Sequence, residues 1–263
     1  MITQPERQRY GCNVCQRKLD DLTHTVFAGH HQPLKIWVLC LYFMSLNLSN
    51  AQIARELDLN ENDVQQMTQQ LRSGIVDKKP EIILEGEVEY DEVYMVAGHK
   101  GQPDAVKKRP KESEKPIKRR TGARHVGKRK PPILGMILRG GQVVIQMLEN
   151  VQQVTIKPLI QSTIASGTLI YTDEYAIYDR LEQWGYSRKS VCHGAGKYAR
   201  DEDGDGFYEV HVNTMEGFWS LLRSWLRPHR GISQAYLPIY LGFFEFVHNT
   251  KNAVKLYLVH CNN

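Results

Sequence analysis

Two short apolar strands in this chain each run into an aspartate, and an amphipathic helix further on opens with a glutamate. The first strand reads Glu87-Val88-Glu89-Tyr90-Asp91, the second Thr168-Leu169-Ile170-Tyr171-Thr172-Asp173, and the helix starts Glu216-Gly217-Phe218-Trp219. Apolar residues alternating with period two mark strands with one buried face. A fold that sets these strands side by side and packs the helix across them brings Asp91, Asp173 and Glu216 to one place. Each acid also has a plainer role. Asp91 is one of several charges beside Glu87, Glu89 and Glu92, Asp173 precedes a helical segment as an N-cap does, and Glu216 suits a first helical turn.

The patterns on either side divide the chain. Residues 1–31 are irregular and carry Cys12-Asn13-Val14-Cys15, a two-cysteine knuckle of the kind that forms half of a zinc ribbon. No second pair lies nearby, and His24, His30 and His31 are the nearest further ligands for Zn²⁺. Over 32–78 the spacing predicts three helices. Leu34–Leu46 is apolar on most faces and therefore expected to be buried. Ser49 caps a short helix over 50–57, and Asn60 or Asn62 caps a third with Val64, Met67, Leu71 and Ile75 on one stripe. A short turn between the last two helices, with Gln65, Gln66, Gln69, Gln70 and Arg72 expected on the exposed face, is a helix-turn-helix pattern. Gln and Arg can read base edges in the major groove. The same pattern also fits a plain three-helix packing module.

From Ile82 the period changes to that of strands: 86–96, then 132–139 and 142–148 joined by Gly140-Gly141, a hairpin signal. A helix over 155–165, the strand 168–172, a helix over 174–184 stopped by Gly185, a strand over 187–192, the Glu216 helix and a final helix from Tyr236 follow. In the Glu216 helix, Phe218, Leu221, Leu222 and Trp225 form the expected buried stripe. Glu216, Ser220, Arg223 and Arg227 lie opposite, with Arg223 two turns from the carboxylate and placed to grip a phosphate. Asp201–Gly206 opens like a calcium loop, but its twelfth position is Val212 and cannot chelate as a glutamate would.

Charge is unevenly spread over the 263 residues. The segment 100–132 holds 13 lysines and arginines, including Lys107, Lys108, Arg109, Arg119 and Arg120, against three acids. Its excess of ten exceeds the chain's +5, so the remainder is net negative. A basic loop between two acid-bearing segments fits a polyanion partner, double-stranded DNA, as well as a solvated linker. Five cysteines with a single close pair make no disulfide framework, the first eleven residues are polar, and Ile36–Leu48 is too short to span a bilayer. The expectation is a soluble protein of the cytoplasm, associated with the nucleoid, with no membrane partner.

Phosphodiester chemistry needs negative charge neutralised on the attacking, leaving and non-bridging oxygens. Two divalent cations ~3.5–4 Å apart do this, and hard carboxylate ligands select Mg²⁺ or Mn²⁺. Three clustered acids repel one another until cations arrive, so the metal-free protein is expected to be less stable than the loaded one.

Four segments carry a family likeness: Tyr90-Asp91-Glu92-Val93-Tyr94, Pro131-Pro132-Ile133-Leu134-Gly135-Met136, Tyr171-Thr172-Asp173-Glu174-Tyr175 and His211-Val212-Asn213-Thr214-Met215-Glu216-Gly217-Phe218-Trp219-Ser220-Leu221-Leu222-Arg223. Together they resemble the DDE transposases of insertion sequences related to the Merlin elements, the ISXO2-like group. The resemblance implies an α/β, ribonuclease H-like catalytic domain over 82–255, with the basic loop 100–132 inserted. Before it come a helix-turn-helix DNA-binding module at 32–78 and a partial zinc-ribbon remnant at 1–31, where only Cys12 and Cys15 match. It further implies Asp91, Asp173 and Glu216 as the metal-binding triad, Arg223 as the family's basic residue, Mg²⁺ dependence, and a homodimer on DNA that cleaves and joins strands of a small mobile element. Some members use Asn as the third ligand, which leaves Asn213 as an alternative to Glu216. A junction-resolving nuclease of the same fold and a catalytically inactive DNA-binding derivative are the rival readings.

Overall fold

The computed structural model describes residues 2–4, 9–28, 31–97, 130–173, 175–191, 199–201, 204, 206 and 208–261. The basic-loop residues Lys107, Lys108, Arg109, Arg119 and Arg120 lie outside the described residues, as do His30 and Cys192. The chain divides into two compact units, Met1–Asp77 and Lys78–Asn263.

In the first unit, strands β1 (Ile2–Gln4), β2 (Arg9–Gly11) and β3 (Lys18–Asp20) form an antiparallel sheet in that order. Cys12 and Cys15 occupy the turn joining β2 to β3. Three helices follow: α1 (Leu34–Ser45), α2 (Asn50–Leu57) and α3 (Glu61–Asp77). Ser49 and Gln52 close a reciprocal capping box on α2. Asp58 ends that helix in a left-handed conformation, φ 52°. The Asn60 side chain accepts from the Asn62 N–H at 2.8 Å, so Asn60, not Asn62, closes the start of α3. Gln70 donates to the Val26 carbonyl at 2.9 Å and ties the preceding segment to α3.

Two expectations are corrected in this unit. Helix α1 buries only Trp37, Cys40 and Met44, and leaves Leu34, Val38, Tyr42 and Leu46 more than half exposed. Two neighbouring helices are enough to cover one face of a helix, not all of it. Arg72, expected on the surface, is buried. It falls on the same stripe as Thr68 and Leu71, and its charge acts on Cys40, whose thiol burial pushes up to about 11.

The second unit is built on a five-stranded mixed sheet of order β6-β5-β4-β7-β8. Its strands are β4 (Glu87–Tyr94), β5 (Pro132–Leu138), β6 (Val143–Met147), β7 (Leu169–Thr172) and β8 (Ser187–Ser190). The first three pair antiparallel, β7 is parallel to β4, and β8 is parallel to β7. Gly140, at φ 73°, turns the β5–β6 hairpin through three residues rather than the expected two, since the Leu138 N–H pairs with the Gln142 carbonyl. One face of the sheet packs Val88, Tyr90, Leu134, Met136 and Ile170 against Ile156 and Ile160 of helix α4 (Gln153–Thr163) and against Tyr178 and Leu181. The helix expected over 174–184 is instead two 3₁₀ turns, Ala176–Arg180 and Glu182–Trp184, stopped by Gly185 at φ 92°. Tyr178 and Leu181, three apart, suit the tighter winding.

The opposite face carries helices α5 (Asn213–Leu226) and α6 (Leu237–Cys261), joined by ring contacts such as Phe218–Phe244 at 5.3 Å. Strand β6 is an edge, and α6 covers it. The Asn249 side chain pairs with both the N–H and the carbonyl of Val143 at 2.9 Å, and Glu245 accepts from the Ile145 N–H at 3.0 Å. Glu245 is itself buried and held by Lys79 at 2.6 Å. An edge closed in this way offers no template for another strand. A short antiparallel pair, β9 (Ala199–Arg200) and β10 (Val210–His211), precedes α5. Asp201, which opens the calcium-loop-like segment, accepts from the N–H groups of Gly204 at 2.6 Å and Gly206 at 2.9 Å. Among the described residues no helix is long and apolar enough to cross a membrane.

Candidate active site

Strand pairing sets the first two acids side by side. Glu89 on β4 is level with Tyr171 on β7, and the strands are parallel. Asp91 lies two residues further along β4, and Asp173 two residues past Tyr171, just beyond the end of β7. Asp173 follows the last residue of β7 and turns back to accept the Tyr175 N–H at 3.0 Å. Its backbone is braced by Arg188 on β8, which donates to the Asp173 carbonyl at 3.1 Å, to Thr172 Oγ1 at 3.0 Å and to Asp179 at 2.6 Å.

The third acid is delivered by the way α5 docks. Glu89 is fully buried beneath the start of this helix and accepts from the Met215 N–H at 2.9 Å, the Thr214 hydroxyl at 2.8 Å and Arg139 Nε at 2.9 Å. A carboxylate there satisfies orphan N–H groups and opposes the positive end of the helix dipole. Arg139 in turn reaches Glu87 at 3.0 Å and the carbonyls of Glu209 at 2.9 Å and His211 at 2.8 Å, and lies over the Tyr171 ring at 3.7 Å. One turn along α5, Trp219 donates its indole N–H to Asp91 Oδ2 at 2.9 Å. Gly135, opposite Asp91 on β5, makes room for that contact. A Cβ there would collide with the end of the Met215 side chain and lie 2.5 and 2.6 Å from the Trp219 ring. Glu216, exposed in the first turn of α5, comes next after Met215.

The electrostatics agree with this convergence. Burial pushes the Asp91 carboxyl up to about 6, and the charges of Asp173 and Glu216 add to the shift. Hydrogen bonds from Trp219 and the Glu92 N–H oppose it. Among the described residues no lysine or arginine pairs with Asp91, and no three His, Cys, Asp or Glu side chains close around one ion-sized point. The charges of Asp173 and Glu216 thus both act on Asp91.

The model of the ISXO2-like transposase domain matches residues 83–249 of the chain. The chain belongs to the ISXO2-like transposase family. This transposase-family chain is 34% identical over 245 residues to an uncharacterized protein in transposable element ISH50 of Halobacterium salinarum, covering 90% of the chain and 77% of that relative. It is 24% identical over 108 residues to an uncharacterized transposase-like protein of Haemophilus influenzae, 41% of the chain and 81% of the relative. Among solved structures, the Mos1 strand transfer complex matches over 85% of the chain and 80% of its own, at 12% identity and a TM-score of 0.22. A pre-cleavage Mos1 transpososome matches at 12% identity and a TM-score of 0.19. Overall likenesses of that size are slight.

The candidate site holds some residues that the sequence singles out and others that it does not. Arg223 and Arg227 are exposed, on α5 and just beyond it. Leu221, expected in the buried stripe, is 59% exposed, and Met215 and Trp219 take its place beside Phe218, Leu222 and Trp225. The helix docks one position away from the expected face because Gly135 admits the Trp219 ring. Asn213, the alternative third ligand, is the first residue of α5, and its N–H donates toward His211 Nδ1 at 3.3 Å. In the first unit Gln65 and Gln66 are exposed on α3 and Gln69 is half-buried. The Cys12 thiol is held below its ordinary pKa by the backbone N–H groups of Cys15 and Val14, a geometry suited to a thiolate ligand. No third ligand joins Cys12 and Cys15 among the described residues. Arg139 was missed, Gly135 and Trp219 were given no role, and Glu89, expected as one of several charges beside Asp91, is instead fully buried. The one signal that could have found Glu89 was its period-two spacing to Asp91 within an otherwise apolar strand.

Proposed function

We propose that this protein is the DNA transposase of a small insertion sequence, cutting and joining strands with a triad of Asp91, Asp173 and Glu216. The observation that carries the reading is that β4 and β7 run parallel side by side and lead to Asp91 and Asp173, with the Asp173 and Glu216 charges acting on Asp91 and α5 pinned by Glu89 and Trp219. The strand order, three antiparallel strands followed by two parallel ones, supports a ribonuclease H-like catalytic domain over 82–255. An all-carboxylate donor set with no thiol or imidazole fits Mg²⁺ or Mn²⁺. Asp91, Asp173 and Glu216 would hold the ions, which when bound supply Lewis-acid activation of the attacking and leaving oxygens.

The chain's own residues do the positioning. Trp219 fixes one oxygen of Asp91. Arg188 holds the turn behind Asp173, and Glu89 and Arg139 set the depth and angle of α5. Arg223 and Arg227 offer guanidinium groups to the DNA backbone. The α2–α3 pair, with Gln65, Gln66 and Gln69, is proposed as the helix-turn-helix reader of the element ends, within a module spanning 32–78. The basic segment with Lys107, Lys108, Arg109, Arg119 and Arg120 is proposed as a backbone clamp. Cys12 and Cys15 are proposed as half of a Zn²⁺ site within residues 1–31, and the working form on DNA as a homodimer in the cytoplasm.

The test is strand cleavage and joining on duplexes carrying the DNA that flanks the gene, in Mg²⁺. Asp91→Asn, Asp173→Asn and Glu216→Gln should each lower cleavage by at least a thousandfold while leaving DNA binding in place. Cleavage retained in all three ends the proposal. Cleavage without strand-transfer products returns the protein to the nuclease reading.

A further inference from the structure

A cavity of about 410 Å³ opens where β4 ends and α5 gives way to the following turn. Three exposed arginines line it, Arg223, Arg227 and Arg230, and among the described residues no acid pairs with any of them. Its remaining wall is apolar and includes Met95, Leu226 and Ile232. The site is also shaped at some cost to the backbone. Arg230, a non-glycine residue, is held at φ 39° and is followed by Gly231 at φ 84°. The turn is kept in place by the His229 ring, 5.0 Å from Trp225 and 5.1 Å from Tyr240. Glycine at 230 would remove the strain, so the guanidinium is what the arrangement retains.

We propose that this cavity takes up one unstacked nucleotide of the DNA strand beside the scissile phosphate. The proposal rests on the transposase reading above and deepens it. Helix α5 runs alongside β4: Met215 meets Glu89, Trp219 meets Asp91, and Arg223 meets the stretch beginning at Tyr94. Tyr94 lies three strand residues past Asp91, about 10 Å. Arg223 lies seven helical residues past Glu216, again about 10 Å. Both elements therefore set the cavity one to three nucleotides from the acids. A bare phosphate does not need this volume or an apolar wall. A ligand with phosphates on one side and a flat apolar face on the other does, and a cavity of this size is in the range of small-ligand sites. A base still stacked in a duplex cannot enter, so the nucleotide must leave the stack. Clamping it would hold the neighbouring phosphodiester in register with the triad.

The experiment places 2-aminopurine, whose fluorescence rises on unstacking, at each of six positions on either side of the cut in a duplex taken from the DNA flanking the gene. With the full-length protein the proposal expects a several-fold rise at one position within three nucleotides of the cut, retained in Asp91→Asn. Ile232→Trp, which fills the cavity, should abolish the rise and lower cleavage at least tenfold. Arg230→Gly should do the same while raising the melting temperature, a combination that loss of folding cannot produce. No rise at any position, with a wild-type protein that cuts the same duplex, overturns the cavity proposal and leaves the transposase reading intact. Neither binding nor cutting of the duplex removes both. Saturable binding of free dAMP at submillimolar concentration without DNA, lost in Ile232→Trp, would make this a free-nucleotide site and overturn the assignment to a DNA strand.

Discussion

Of the four acids on strand β4, three meet an arginine or a tyrosine hydroxyl, while Asp91 accepts from the Trp219 indole N–H. Glu87 meets Arg139 and the Tyr171 hydroxyl, Glu89 is enclosed by Arg139, Thr214 and the Met215 N–H, and Glu92 accepts from the Tyr178 hydroxyl on the other face. The Asp91 carboxyl is raised, to about 6 against an ordinary 3.8, with burial as the first cause. The sign of the linkage follows. Below about pH 4 the group is protonated in both states and costs nothing. As pH rises through 4 to 6 the unfolded chain releases its proton first, and stability is lost. Above about 6 the loss is complete, on the order of 3 kcal/mol. Asp91→Asn, neutral at every pH, should therefore be more stable than the wild type by about 2–3 kcal/mol at pH 8 in EDTA, and nearly equal to it at pH 4. Urea unfolding at the two pH values measures this; an equal difference at both would show that Asp91 is not strained by its neighbours. Nothing in the sequence separates Asp91 from Glu89. Both follow the same alternation, and only the arrival of a helix N-terminus over Glu89 distinguishes a structural acid from an open one.

Helix α5 is oriented by a buried charge cluster rather than by its apolar stripe alone. Arg139 connects the end of β5 to Glu89, Tyr171 and β10, and its loss leaves the buried Glu89 carboxylate with the Thr214 hydroxyl, the Met215 N–H and the His211 ring, 3.3 Å away, but no permanent cation. Arg139→Ala should cost about 3–5 kcal/mol, as removing one partner of a buried pair does. The double variant Arg139→Ala with Glu89→Gln should recover part of that loss, because it removes the orphaned charge. Thermal unfolding of the two variants tests the cluster; a double variant no more stable than the single one would mean that Glu89 carries no buried charge. Local chemistry made several elements legible in advance. The Ser49–Gln52 capping box, Gly185 as a stop and the alternation of β4 each declare themselves within a few residues. Elements that depend on distant partners did not. The 3₁₀ turns over Ala176–Trp184 look helical in sequence because Leu181 and Trp184 also fit a helical stripe. The face of α5 was misjudged at Leu221 because the space that admits Trp219 is made by Gly135, 84 residues earlier in the chain.

Across the whole molecule, the order of elements in the second unit was readable from hydrophobic period and turn residues, and the sheet order converts that list into a site. Placing β4 centrally, antiparallel to β5 and parallel to β7, sets the strand that carries Asp91 beside the one that leads into Asp173, 82 residues later. The first unit was read with less success on its surfaces, since Arg72 is buried and one face of α1 is open, both outcomes of how few helices pack there. The central claim is that Asp91, Asp173 and Glu216 share hard cations. Its most direct test is anomalous diffraction from crystals of the protein soaked in Mn²⁺. The account predicts peaks with carboxylate oxygens of all three residues at about 2.0–2.3 Å, as hard divalent cations require. Anomalous peaks confined to other residues, or peaks that persist unchanged in Asp91→Asn with Glu216→Gln, would contradict it.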